Sequence, residues 1–298
     1  MTRWFAQFRK TMKTALASKS KQISISPDDP FVIIGERINP TRRKSLLESL
    51  AASKFDVALE DARKQIAAGA HVLDVNAGVP GGDEPNLLAG LTRAITSEFD
   101  VPLCFDSANP AALEAALAIY EGKALINSTT GESRMLEVVL PLAAKYRAAV
   151  IGVITDEQGI PATPQARLGV ARKIVQRAAD YGLPEQDIVI DCLALTVSAD
   201  SNAGRITLDT MQLVRQELGL NLSLGASNVS FGLPDRKTIN AAYLALGIAR
   251  GLTAAITDPT IPELAGMIRA CDLLMGHDEY AIRWIKAYRA AQKAAANA

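Results

Sequence analysis

The run FVIIGERIN, residues 31–39, sets the pattern by which the rest of the chain can be read. It is a short apolar stretch that turns polar only at its C-terminal end, at Glu36, Arg37 and Asn39, and a polar turn and a stretch of helical period follow it. The same unit then recurs. The later runs are VLDVNAG (72–78), PLCFDSAN (102–109), ALINSTTG (124–131), AAVIGVITD (148–156), DIVIDCLA (187–194), LSLGASNVS (222–230) and AAITDP (254–259). Helical patterns separate them, among them Val57–Ala68, Pro110–Tyr120, Met135–Lys145, Arg167–Tyr181, Leu208–Leu218, Thr238–Arg250 and Glu263–Met275.

Continuous apolar strands alternating with helices specify a parallel sheet buried on both faces, with right-handed crossovers. Eight repeats allow closure, so the expected fold is α/β, a (β/α)8 TIM barrel. The rival, an open doubly wound sheet, would be favoured by GxGxxG in the first turn, and the sequence has none. GVPGGDE (78–84) is glycine-rich, but its spacing fits neither the dinucleotide fingerprint nor a P-loop. Residues 31–298 are assigned to the barrel, with 278–298 as a closing helix and tail.

Residues 1–27 carry six Lys or Arg and no acid, which leaves 26 basic against 32 acidic residues in the remainder of an electroneutral chain. An acidic body of this kind makes a poor nucleic-acid binder, since binding phosphate needs a basic surface. No apolar run reaches the roughly 18 residues of a membrane span. Three widely spaced cysteines, Cys104, Cys192 and Cys271, with no CxxC, are expected to be reduced and buried, as in a cytoplasmic protein. At the start of the chain Trp4, Phe8, Met12 and Leu16 recur at i, i+4 spacing. Residues 1–30 are therefore read as a basic amphipathic helical extension, a packing element or a partner-binding arm rather than a targeting peptide.

In a barrel of this kind the C-terminal strand ends form the active face. Polar residues gather there: Glu36, Arg37, Asn39, Asp74, Asn76, Asp106, Ser107, Asn109, Asn127, Asp156, Asp191, Asn228 and Asp258. For Asp156 and Asp258 the simpler expectation is helix N-capping. Asp106, Asn127, Asp191 and Asn228 directly follow apolar runs, and a buried carboxylate without a partner is costly. Convergent carboxylates and amides without lysines call for a metal or a ligand rich in N–H donors. Neither histidine, His71 or His277, lies at a strand end, and asparagine is a weak ligand, so a metal is disfavoured. A 2-amino-4-oxo pyrimidine ring presents two adjacent donors that one carboxylate accepts together, with acceptors left over for amides.

These residues resemble a known family. IIGERIN (33–39), LDVNAG (73–78), LCFDSAN (103–109), ALINSTTGE (124–132), VIDCLAL (189–195) and GASNVSFGLPDR (225–236) together are similar to the methyltetrahydrofolate:corrinoid protein methyltransferases, from about Phe31 to Met275. Their pterin-binding barrel is shared with the folate domain of cobalamin-dependent methionine synthase and is of the dihydropteroate-synthase type. The resemblance implies a homodimeric enzyme that moves the N5 methyl group of 5-methyltetrahydrofolate to or from the Co(I) of a corrinoid (cobalamin) carried by a partner protein. Position by position it implies that Asp106, Asn127 and Asp191 bind the pterin. Asp74, Asn76 and Glu36 stand at neighbouring motif positions, Asn228 contacts N5, and Arg236 helps to hold the folate. Phe231 departs from members with glutamine there. An amide can donate to the amine and accept from its protonated form, so Asn228 serves N5 activation without titrating.

Dihydropteroate synthase is the alternative pterin enzyme, but its Thr-Pro-Asp-Ser-Phe loop and Ser-Arg-Lys cluster are replaced here by GERINPTRRK and SNVSFG. A folate-binding module that merely docks a corrinoid partner is the non-enzymatic reading, and turnover of free cob(I)alamin separates it from an enzyme. No D-x-H-x-x-G corrinoid loop surrounds either histidine, so the cobalamin is expected on another protein.

Overall fold

Alternation along each strand decides where its polar residues go. The computed structural model describes residues 12–296. Eight parallel strands follow one another around a barrel: β3 (Val32–Ile38), β4 (Val72–Val75), β5 (Leu103–Asp106), β6 (Leu125–Thr130), β7 (Ala149–Val153), β8 (Ile188–Asp191), β9 (Asn221–Ser223) and β10 (Ala254–Thr257), preceded by a two-stranded hairpin, β1 (Thr14–Ala17) and β2 (Gln22–Ile25). β10 pairs with β3, and the last seam closes through Thr253 N–H to Leu222 O (3.2 Å) and Ile256 N–H to Leu224 O (3.0 Å). The barrel expected from the repeats is present.

Side chains of one parity enter the lumen. Val32, Ile34, Val72, Cys104, Leu125, Ala149, Ile151, Val189 and Ala254 form one buried interior cluster. The next inward position on the same strands is Glu36, Asp74, Asp106, Asn127 or Asp191. Since parity is fixed by the two-residue repeat, apolar lower layers aim those polar residues into the upper lumen. The other parity packs under the helices in a second, larger cluster, with Leu73, Phe105, Ile126, Val150 and Ile190 among its members.

The helical layer comprises α1 (Lys44–Ala51), α2 (Asp56–Ala67), α3 (Glu84–Glu98), α4 (Pro110–Leu117), α5 (Ser133–Tyr146), α6 (Pro164–Asp180), α7 (Ala203–Leu218), α8 (Arg236–Ala249) and α9 (Pro262–Leu274). Every helical pattern named from the sequence is found; α1 and α3 complete the set. Side-chain caps start three of these helices: Asp83 accepts from Asn86 N–H, Asn109 from Ala111 N–H and Thr163 from Ala166 N–H, each with proline in the first turn. Buried Arg167 on α6 donates to the carbonyl of Cys192 (3.1 Å) and to Thr207 Oγ1 (3.2 Å), tying α6 to the end of β8 and to α7. The closing helix α10 (Ile282–Ala296) exposes Ile282, Trp284, Ile285 and Tyr288. No helix among the described residues is long and apolar enough to cross a membrane.

The helical extension is corrected over residues 12–30, which hold a hairpin and the turn leading into β3. Trp4 and Phe8 lie outside the described residues, but Leu16 lies in strand β1, paired with Ile23. A spacing of four fits two strand repeats as well as a helical turn, so Met12 and Leu16 satisfied both periods. Tertiary contacts decide it: Leu16 and Ile25 are fully buried in the lower lumen, and Asn221 Nδ2 of β9 donates to Met12 O (3.2 Å), Thr14 Oγ1 (2.9 Å) and Ile25 O (2.7 Å). The hairpin plugs the N-terminal mouth of the barrel.

Candidate functional site

At the opposite mouth, asparagines hold carboxylates by their amide groups. Asn39 Nδ2 (3.2 Å) and Asn76 Nδ2 (3.0 Å) both donate to Asp106 Oδ2. Their own carbonyls accept from Thr41 N–H (3.0 Å) and Gly78 N–H (2.8 Å), which fixes the NH2 edges toward the lumen. Asp106 Oδ1 takes no hydrogen bond from the described chain. Asn127 Nδ2 donates to Asp74 Oδ1 (3.1 Å), leaving the Asn127 carbonyl uncommitted. Asp74, only 3 % exposed, lies beneath and also receives the Cys104 thiol, so it orients Asn127 rather than facing the opening. Asp191 closes the ring of acids, its Oδ1 accepting from Leu193 N–H (2.7 Å), with Gly225 N–H as a second donor.

Burial dominates the electrostatics. It raises Asp191 to about 6 against the pull of those two N–H donors. Asp74 and Asp106 are both raised, by burial first; the Asp106 charge adds to the effect on Asp74. Glu36, at the upper end of β3, is pushed up to about 7 by burial; the Ser227 hydroxyl opposes the shift and Asp258 reinforces it. Four lumen carboxylates that resist ionisation form a site asking for hydrogen-bond donors or positive charge. Among the described residues no cluster of three His, Cys, Asp or Glu has the arrangement to hold a metal ion.

After β9 the chain makes a short 3-10 turn, Ala226–Ser230, that carries Asn228. Asn228 is exposed, its backbone N–H donates to Gly225 O (3.2 Å), and its side-chain amide makes no hydrogen bond in the described chain. A side chain at Gly225 would meet Asn228 Nδ2 at 2.9 Å, so glycine there leaves the amide its place. Ser227 Oγ donates to Glu36 Oε1 (3.0 Å), and Arg236, first residue of α8, holds the turn from behind through Ser227 O (2.6 Å) and Ser230 Oγ (3.1 Å).

Residues 35–258 match the family described as "Pterin binding enzyme". The chain belongs to that family. It is 30% identical over 265 residues, covering 87% of this chain and 96% of the relative, to the methylcorrinoid:tetrahydrofolate methyltransferase of Eubacterium limosum. It is 28% identical over 255 residues to the methionine synthase of Mycobacterium tuberculosis, of which it spans 21% of the length. Dihydropteroate synthases share the fold: that of Yersinia pestis superposes with a TM-score of 0.65 at 16% identity over 88% of this chain and 99% of its own, and that of Coxiella burnetii with 0.67 at 18% over 89% and 99%. Within the pterin-binding enzymes the chain belongs with the methyltransferases of the methyltetrahydrofolate:corrinoid type.

Of the residues singled out in this enzyme, Glu36, Asp74, Asn76, Asp106, Asn127 and Asp191 share the upper lumen, and Asn228 and Arg236 stand on the turn beside it. Asn39 belongs with them; its place shows only through the register shift in β3 between Gly35 and Ile38. Ser227 carries no signal in sequence, since its role is a contact with a residue 191 positions away. Asp156 and Asp258 do not cap helices: Asp156 accepts from Gln158 N–H (2.9 Å) and Asp258 from Thr260 N–H (2.9 Å) in tight turns, while Thr163 starts α6 and Ile261 precedes α9. Both histidines are outside the site. His71 Nδ1 accepts from Ile33 N–H (3.0 Å), and burial pushes that ring down to about 4. All three cysteines are free and buried.

Proposed function

We propose that this methyltransferase moves the N5 methyl group between 5-methyltetrahydrofolate and the Co(I) of a corrinoid held on a separate protein. The observation that carries the reading is the pairing of open acceptors in the lumen (Asp106 Oδ1 and the Asn127 carbonyl) with an unengaged amide at Asn228 on its edge. Those acceptors suit the N–H edge of a pterin, and the raised carboxylates regain stabilisation when its donors arrive.

The chemical difficulty is the leaving group. Attack by Co(I) on the methyl carbon breaks the C–N5 bond and leaves the electron pair on N5, which must carry a proton. Asn228 donates to the neutral amine and accepts from N5–H+, stabilising the charge as it develops. Glu36, near 7, exchanges a proton at neutral pH, and Ser227 links it to the turn that bears Asn228, so this pair is assigned the proton that N5 needs. The same groups serve either direction; the Eubacterium limosum relative is named for transfer from methylcorrinoid to tetrahydrofolate.

The corrinoid partner follows from the same resemblance. A homodimer is supported by the apolar side chains left exposed on α9 and α10, Leu274, Ile282, Trp284, Ile285 and Tyr288, and equilibrium sedimentation tests it. The function is tested by mixing purified protein with chemically reduced cob(I)alamin and 5-methyltetrahydrofolate and following loss of Co(I) absorbance. Turnover with Asn228→Ala reduced about 100- to 1,000-fold in kcat, at near-unchanged folate affinity, is expected. Equal loss of both would remove the special role of Asn228. Absence of folate binding would overturn the pterin reading.

A further inference from the structure

Phe231 stands on the rim of the site with its ring 46 % exposed. Its backbone is fixed: its N–H donates to Asn228 O (3.2 Å), and its carbonyl accepts from Thr196 Oγ1 (2.7 Å) and Ser198 Oγ (3.0 Å). A large apolar ring is therefore held in solvent one short turn beyond Asn228. Two guanidinium groups flank it, Arg42 at 4.7 Å and Arg236 at 5.9 Å from the ring centre. Arg236 is engaged with the turn, but Arg42 has no carboxylate in ion-pair reach among the described residues. The contrast is local: Arg37 pairs with Asp258 and Arg43 with Asp61.

The lumen is acidic and the rim at this point is cationic and aromatic. A ligand whose head is a donor-rich ring and whose tail is aromatic and anionic satisfies both. We infer that Phe231 and Arg42 form a subsite for the p-aminobenzoylglutamate tail of the folate, Phe231 packing on the benzoyl ring and Arg42 facing the glutamate carboxylates. This rests on the pterin reading of the lumen. A glutamate in the lumen would add a like charge beside carboxylates that already resist ionisation, so the tail leaves the barrel where cations receive it, beside the turn that carries Asn228. An aromatic face against the benzoyl ring and a guanidinium available to carboxylates supply the matching contacts.

The test is calorimetric binding to the full chain of three probes: 5-methyltetrahydrofolate monoglutamate, its triglutamate, and 6-methyltetrahydropterin, which lacks the tail. Phe231→Ala is expected to weaken both folates about 3- to 10-fold. Arg42→Ala is expected to weaken the triglutamate about 2- to 5-fold more than the monoglutamate, with Arg42→Lys recovering part of it. The tail-less pterin should bind wild type and variants alike. Equal losses for pterin and folate place Phe231 in the pterin pocket and overturn the inference. So does unchanged affinity for all three, including the case in which only turnover with a corrinoid protein suffers, which assigns the rim to protein docking. Failure of wild type to bind the tail-less pterin defeats the pterin reading itself, and the inference with it.

Discussion

Ser227 Oγ lies 3.0 Å and 3.2 Å from the two oxygens of Glu36, so the residue before Asn228 is bonded to the first strand of the barrel across 191 residues of sequence. This bond joins the titrating group to the turn that carries the amide, and it lowers the Glu36 pKa against the effect of burial. Ser227→Ala is expected to reduce kcat about 10-fold, with folate affinity within a few-fold, because a hydrogen bond to a charged acceptor is lost while the lumen acceptors remain. The pH–rate limb set by Glu36 should move upward in this variant and vanish in Glu36→Gln. An unchanged profile in both would remove Glu36 from proton transfer.

Stability should fall as pH rises from about 6.5 to 8. Carboxylates with raised folded pKa values bind more protons folded than unfolded in this range, so the unfolding free energy declines with pH. Glu36 at about 7, faced by Asp258, Arg37, Arg236 and Ser227, and the raised Asp74 and Asp106 all act in this direction. His71, pushed down to about 4, acts with the opposite sign below its unfolded value, which is why the window begins there. Thermal melts of ligand-free protein at pH 6.5 and 8 measure the slope, and Glu36→Gln should flatten it.

Asp191→Asn keeps a carbonyl for Leu193 N–H and removes the charge offered to a ligand. Folate affinity is expected to drop about 10- to 100-fold, the cost of one charge-assisted hydrogen bond, while the melting temperature at pH 8 stays level or rises. Titration calorimetry and a melt on the same sample separate the two effects.

Leu16→Ala removes the fully buried plug side chain of the hairpin. A loss of about 2–5 kcal/mol in denaturant unfolding is expected. Folate affinity should persist below the transition, because the plug and the proposed pterin site occupy opposite mouths of the barrel.

The eight apolar runs were decisive in the sequence because a strand buried on both faces needs uninterrupted apolar residues, and that need is local. The polar ends of those runs were equally legible, since two-residue alternation aims Asp74 with Val72 and Asp106 with Cys104. What each polar residue does was settled only by contacts between strands. Asp74 sinks beneath Asn127, Asn39 joins Asp106 after the register shift in β3, Asp258 turns to Arg37, and Ser227 reaches Glu36. The hairpin shows the same limit from the other side, for the spacing of Met12 and Leu16 fits strand and helix alike. Barrel closure and the carbonyls bonded by Asn221 selected the strand, through long-range contacts that a local period does not contain.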